Sequence, residues 1–222
     1  MAGRTVRAGR SSATREQILA AAERLFAEHG VLAVSNRQVS EAAGQGNNFA
    51  VGYHFGTKED LVREIVRRHS EQVVESRRRM LAEVSGSGEL RDWVACLVRP
   101  LTEHLATLGV PSWFARFSAQ VMTEPAFREI VIEQSRNEPS MQPLRDGLRR
   151  CVPALPVEVA AERADMARHL MMHTCAERER ALAEGAPTHR GTWDDTATGL
   201  IDAITGLLLA PVTPVPEQDG AG

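Results

Sequence analysis

The chain has 222 residues, 43% of them hydrophobic and 25% charged, with a formal net charge of -3, a balance that suits a soluble globular protein of one large or two small domains. Its most apolar stretch, Leu200 to Val212, contains Asp202 and falls short of the roughly 18 residues a membrane span needs, and the charged leader is not followed by an apolar run of the secretory kind. Three cysteines, Cys96, Cys151 and Cys175, without CxxC spacing, argue against a disulfide framework and for reduced thiols in a cytoplasmic setting.

The charge is uneven. Residues 1–80 carry 13 Arg/Lys against 9 Asp/Glu, whereas residues 81–222 carry 13 against 20. Arg4, Arg7, Arg10 and Arg15 fall in or just after a Gly/Ser/Ala-rich leader, residues 1–13, that shows no periodicity and is expected to be a flexible basic arm able to neutralise phosphates. Three helix starts follow, each a hydroxyl with a returning side chain three residues on: Thr14 with Gln17, Ser35 with Gln38, and Thr57 with Asp60. Ile18, Leu19, Ala22, Leu25 and Phe26 form the buried stripe of the first helix, and Gly30 ends it. Val39, Ala42 and Ala43 do the same for the second. Gly44 and Gly46 make a turn, after which Asn47 is the expected cap of a helix reaching about Phe55.

Two short helices around a glycine-rich turn form a helix-turn-helix, the unit that places a helix in the DNA major groove. Its second helix needs polar groups on its first turn to reach base edges. Asn47, Asn48 and Gln45 are the base-reading candidates, since a carboxamide pairs with adenine. Tyr53, His54 and Lys58 lie toward the other end, where free N–H groups of the next helix favour phosphate. Arg37 can reach a phosphate or a guanine. Phe49 is either a groove contact or a core residue, and Phe55 is core.

Beyond residue 85 the chain reads as helices near 89–108, 112–123, 125–151 with a break around Pro139 and Pro143, 156–184 and 193–210, the last opened by Thr192 and Asp195. No run alternates like a strand, so the fold class is all-α. The segment 211–222, rich in Pro, Glu, Asp and Gly, is expected to be a disordered tail. A single reading head covers few base pairs, so useful affinity needs two heads about 34–36 Å apart on a pseudo-palindromic operator in double-stranded DNA. That implies a homodimer. Segments 156–184 and 193–210 are the interface candidates, the latter through Leu200, Ile201, Ile204, Leu207, Leu208 and Leu209 beside small Ala197, Gly199, Ala203 and Gly206.

With Ile18-Leu19 and Leu25-Phe26 before Gly30, Arg37, Ala42-Ala43-Gly44, and Tyr53-His54-Phe55-Gly56-Thr57-Lys58-Glu59-Asp60-Leu61, the segment from about Thr14 to His69 resembles the DNA-binding domain of TetR-family transcriptional regulators. The resemblance implies a DNA-binding domain over 14–70 and a helical effector-binding and dimerisation domain over 71–210. It implies that the matching aromatic, His and Lys positions clamp the DNA backbone, that the last two helices form an intersubunit four-helix bundle, and that a small-molecule effector enters the C-terminal core. Candidates to line that pocket are Trp93, Cys96, Trp113, Phe117, Met122, Met171 and His173, a mixture that composition alone also describes as ordinary core. Two departures from the family pattern stand out. Gly44 to His54 is ten steps instead of nine, implying a turn one residue longer; and Gly52 occupies a position usually filled by Tyr, so either Tyr53 substitutes or the Gly52 backbone passes close to DNA.

Asp165, His169, His173 and Glu177, four apart, share one helix side, a geometry that can hold a metal. The His-Glu-x-x-His core of a zinc protease is absent, however, and His–carboxylate pairs at this spacing also stabilise an exposed helix. The expected function is a homodimeric DNA-binding regulator, with repression released by effector as the family default, no cofactor and no enzymatic activity. The alternatives are a metal-dependent or enzymatic protein using that helix side, and a DNA binder without an effector.

Overall fold

The computed structural model describes residues 2–213, with side chains described from Ser11 onward. Among them are ten helices and no strand: α1 (Ala2–His29), α2 (Asn36–Ala42), α3 (Ala50–Phe55), α4 (Lys58–Glu83), α5 (Leu90–Thr107), α6 (Phe114–Thr123), α7 (Pro125–Asn137), α8 (Met141–Cys151), α9 (Val157–Glu184) and α10 (Trp193–Leu209). The all-α expectation holds.

Three starts carry complete capping boxes: Ser35 with Gln38 on α2, Thr57 with Asp60 on α4, and Thr192 with Asp195 on α10. In each, the hydroxyl accepts from the third N–H of the helix while the returning side chain accepts from the cap's own N–H, satisfying donors that a helix end leaves free. Thr14 with Gln17 does not start a helix, because α1 extends to Ala2. Of the expected flexible arm over 1–13, the described residues 2–13 are helical instead. Arg and Ala favour the helix and no proline interrupts the segment, while Gly3 and Gly9 each cost about 1 kcal/mol within it. The expected tail lies, from residue 214, outside the described residues.

Glycines close the front helices where the chain must turn sharply. Gly30 (φ +84°) follows α1 and Gly44 (φ +68°) follows α2, in conformations that a Cβ disfavours. The expected break near Pro139 separates α7 from α8, while Pro143 sits in the first turn of α8, where its missing N–H costs nothing.

α1, α2, α3 and the front of α4 make the head. One hydrophobic core joins it to the body, running from Ile18, Phe26, Val39 and Leu61 through Val94, Leu105 and Phe117 to Leu200 and Ile204. Phe117 of α6, fully buried, stacks on Phe26 of α1 and on Phe114, with ring centroids 6.3 Å apart in both pairs. The helix that begins the head is thereby packed directly on the body, and α4 passes from one to the other without a break.

Candidate DNA-reading surface

Within the head, local hydrogen bonds decide which side chains remain free. Buried Ser40 donates to the Asn36 carbonyl at 3.1 Å and the Asn48 carbonyl at 3.3 Å, tying the turn to α2. Asn47 does not cap α3. Its Oδ1 instead accepts from the Phe49 N–H at 2.9 Å, and Phe49 precedes the first helical residue. A turn longer than the family pattern moves the helix start beyond the reach of a single Asn cap, so Asn47 closes a local Asx-type turn. Gln45 is also engaged, its Nε2 donating to Gln17 Oε1 at 3.1 Å and to the Ala43 carbonyl at 3.0 Å.

Tyr53 and Phe49 are 83% and 81% exposed. They lie with Asn48 and Gly52 on the outer side of the head, while Ala50, Val51 and Phe55 are buried beneath. Phe49 is therefore not core. Phe55 is core, as expected. A Cβ built on Gly52 meets no atom within 4 Å, so packing inside the chain does not require a glycine there. The Tyr53 and His54 rings meet edge to face at 5.0 Å, with His54 half-buried. Arg37 is exposed and its Nε donates to Glu41 at 2.8 Å, an intrahelical pair that water readily exchanges.

Lys58 is placed differently from the expected phosphate clamp. Its Nζ points inward, donating to the carbonyls of Val31 at 3.0 Å and Val34 at 2.7 Å, and partial burial lowers its pKa from the ordinary lysine value. These carbonyls belong to the irregular segment between α1 and α2, which has no helix partner for them, and a flexible four-carbon stem reaches them from the start of α4. Arg15, expected beside a flexible arm, is instead a clamp within the head. From α1 it donates to the His54 carbonyl at 2.9 Å, pairs with Glu64 at 2.8 Å and lies 4.3 Å over the Phe55 ring. It thereby fills the carbonyl end of α3 with positive charge. Arg67 first, and Arg15 with it, hold the Glu64 carboxyl down at about 2.

Two buried polar networks fix the interior, one between head and body and one within the body. His69 of α4 meets Glu23 of α1 at 3.0 Å through Nε2 and His104 of α5 at 2.7 Å through Nδ1, with Phe114 stacked on His69 at 3.8 Å. Glu179 of α9, 1% exposed, accepts from Ser112 Oγ at 2.8 Å, from the backbone N–H groups of Ala115 at 3.2 Å and Arg116 at 2.9 Å, and from Arg116 Nε at 3.3 Å. A carboxylate from a distant helix thus serves the open N–H groups at the start of α6, which has no local side-chain cap. Neither network has a signature in sequence spacing, because the partners lie 35 to 67 positions apart.

The seven candidates for an effector pocket do not surround one cavity. Trp93 and Cys96 lie in a separate cluster with Leu144, flanked by Met80 and Met141. Phe117 and Met122 are buried on α6, and Met171 packs against the main core. Trp113, under Arg116, lines an 800 Å³ groove between head and body with Ala20, Ala43, Arg68 and Pro111. His173 is exposed and borders a 650 Å³ groove between α9 and α10. Composition found the aromatic and sulfur-bearing residues but not their partition, since helices of one bundle bury bulky groups on several separate seams. Burial raises the thiols of Cys96 to about 11 and Cys175 to about 12, leaving both protonated and inert.

The last helix also differs from expectation. Leu200, Ile201 and Ile204 are buried within their own chain, where α10 packs on α5. Exposed on these two helices are Ala203, Gly206 and Leu209 of α10 and Met166, Leu170 and His173 of α9. Asp165 pairs with Arg168 and Glu177 with Arg180, and among the described residues no three His, Cys, Asp or Glu side chains converge on a metal position. Nor, among the described residues, is any helix long and apolar enough to cross a membrane.

A helix-turn-helix head on an all-helical body is an arrangement that can present a short helix to a DNA major groove. Residues 18–65 match the family described as bacterial regulatory proteins, tetR family, and residues 95–206 match the tetracyclin repressor-like C-terminal domain. The chain belongs to the TetR family. It is 32% identical over 115 residues to the HTH-type transcriptional repressor AcnR of Corynebacterium glutamicum, an alignment covering 52% of this chain and 54% of that protein. The chain thus spans about half the length of the curated relatives it matches. Among solved structures, the TetR-family regulator PfmR of Thermus thermophilus is similar with a TM-score of 0.51 and 21% identity, over 90% of this chain and 98% of that one. NalD, the secondary repressor of the MexAB-OprM multidrug efflux pump in Pseudomonas aeruginosa, is similar with a TM-score of 0.51 and 26% identity, over the same shares.

Proposed function

We propose that this protein is a homodimeric, sequence-specific transcriptional repressor acting in the cytoplasm and released from its operator by a small-molecule effector. The observation that carries the DNA-reading part is the outer side of the head. Asn48 and Phe49, in the turn just before α3, and Tyr53 on α3 stand exposed, while the other side of that helix is buried and Arg15 ties its carbonyl end to α1. A rigid support under a few free side chains is what reading base edges requires. Asn48 is the base-reading carboxamide, Asn47 keeps only its Nδ2 for DNA, and Tyr53 with His54 and Arg37 positions the backbone. Repression is supported by the similarity to AcnR and NalD, both repressors by name.

Dimerisation is supported by the exposed Met166, Leu170 and Leu209 and by the small residues Ala203 and Gly206, which allow a partner helix close approach. An effector acts only through different affinities for the DNA-fitting and non-fitting arrangements. Packing of α1 on α6 supplies a route from body to head. The test is an electrophoretic mobility shift with the chain's own promoter region. Retention that is competed by unlabelled specific DNA and weakens with salt supports the reading; retention that is blind to sequence rejects it.

A further inference from the structure

The outer side of the head holds one large apolar ring, just before α3, and one missing side chain on that helix. We propose that Phe49 reads the C5-methyl group of a thymine in the major groove, and that Gly52, one turn further on, provides the clearance that brings it there. This rests on the DNA-reading function above.

Phe49 is 81% exposed and takes no place in either hydrophobic cluster of the chain. Its backbone N–H is already held by Asn47 Oδ1 at 2.9 Å, which fixes the residue at the head of α3. Gly52 lies three positions on, on the same exposed side. Glycine inside a helix costs about 1 kcal/mol relative to alanine. Two reasons for accepting that cost are absent at Gly52: its φ is not positive, and a Cβ there meets no atom within 4 Å. The bare strip therefore serves something outside the chain that comes closer than a methyl group allows. A benzyl side chain has no hydrogen-bonding group, and the apolar group that the major-groove floor offers is the thymine methyl. Neighbouring Gln45 and the Asn47 oxygen are engaged within the head, which leaves Asn48 and Phe49 to carry readout at this end of the helix.

The full chain is used to select duplexes from a random pool. In a selected duplex each thymine is then replaced singly by deoxyuridine, which removes only the methyl, and affinity is measured by fluorescence anisotropy at fixed salt. The expected result is one thymine per half-site whose replacement weakens binding about fourfold, the loss of one buried methyl. Phe49→Ala is expected to bind the thymine and uracil forms alike. Gly52→Ala is expected to melt no lower than the parent yet to bind about tenfold more weakly. The inference is overturned if every thymine can be replaced without loss, if Phe49→Ala keeps the full uracil penalty, or if Gly52→Ala binds like the parent. Failure to select any duplex rejects the DNA-reading function itself, whereas selection without a uracil effect removes only the role of Phe49.

Discussion

His69 and His104 meet ring nitrogen to ring nitrogen at 2.7 Å where α4 crosses α5. The Glu23 carboxylate lies at 3.0 Å from His69 Nε2, and a hydrogen bond joins His69 Nδ1 to His104 Nε2. His104 Nδ1 has no partner among the described residues, so a proton placed there is buried without an acceptor. Burial first, and His69 second, lower His104 from 6.5 to about 4. The unfolded ring takes up its proton as pH falls through 6.5 while the folded ring does not, so stability present at pH 7 is lost progressively between 6.5 and about 4. The loss is on the order of 2–3 kcal/mol. Thermal melts across this range are expected to show it, and His104→Phe to flatten the slope.

Glu179 stands at the crossing of α6 and α9 with Arg116 beside it, both almost fully buried. Glu179→Ala strands that guanidinium and the first N–H groups of α6. A loss of about 3–5 kcal/mol in urea unfolding is expected. Glu179→Gln keeps a carbonyl acceptor and is expected to lose less.

Lys58 distinguishes two roles cleanly. As the partner of the Val31 and Val34 carbonyls, Lys58→Met is expected to destabilise the protein by about 1–3 kcal/mol. The slope of log affinity against log salt is expected to stay unchanged, whereas loss of a phosphate contact lowers it by about one per contact.

Gly147 of α8 abuts the Trp93 ring so closely that an added Cβ falls 2.1 Å from Trp93 Cε3. Gly147→Ala gains helix propensity but forces the indole aside, and overpacking prevails. A net loss of about 1–3 kcal/mol is expected in calorimetry.

Asn48 and Tyr53 stand exposed on the outer side of the head. Replacing both with alanine is expected to leave the melting temperature within error and to weaken operator binding about tenfold or more, measured by anisotropy.

What the sequence determined by itself was local and periodic. Hydroxyl-and-return pairs located the starts of α2, α4 and α10, glycines located the ends of α1 and α2, and apolar spacing showed the inward side of α1, because each signal acts within one or two turns; on α2 it held for Val39 but not for Ala42, which is exposed. The helix-turn-helix and its family likeness followed from such short-range patterns. Tertiary structure decided which polar side chains stay free. Lys58 looked like a phosphate ligand until the loop carbonyls of Val31 and Val34 claimed it, Gln45 was drawn onto Gln17 of α1, and Phe49 proved exposed while Phe55 did not. It also dispersed the bulky residues of the body among separate seams and joined Glu23, His69 and His104 from three helices. A side chain's partner depends on which backbone groups arrive unsatisfied from elsewhere in the chain, and spacing along a helix carries no record of that.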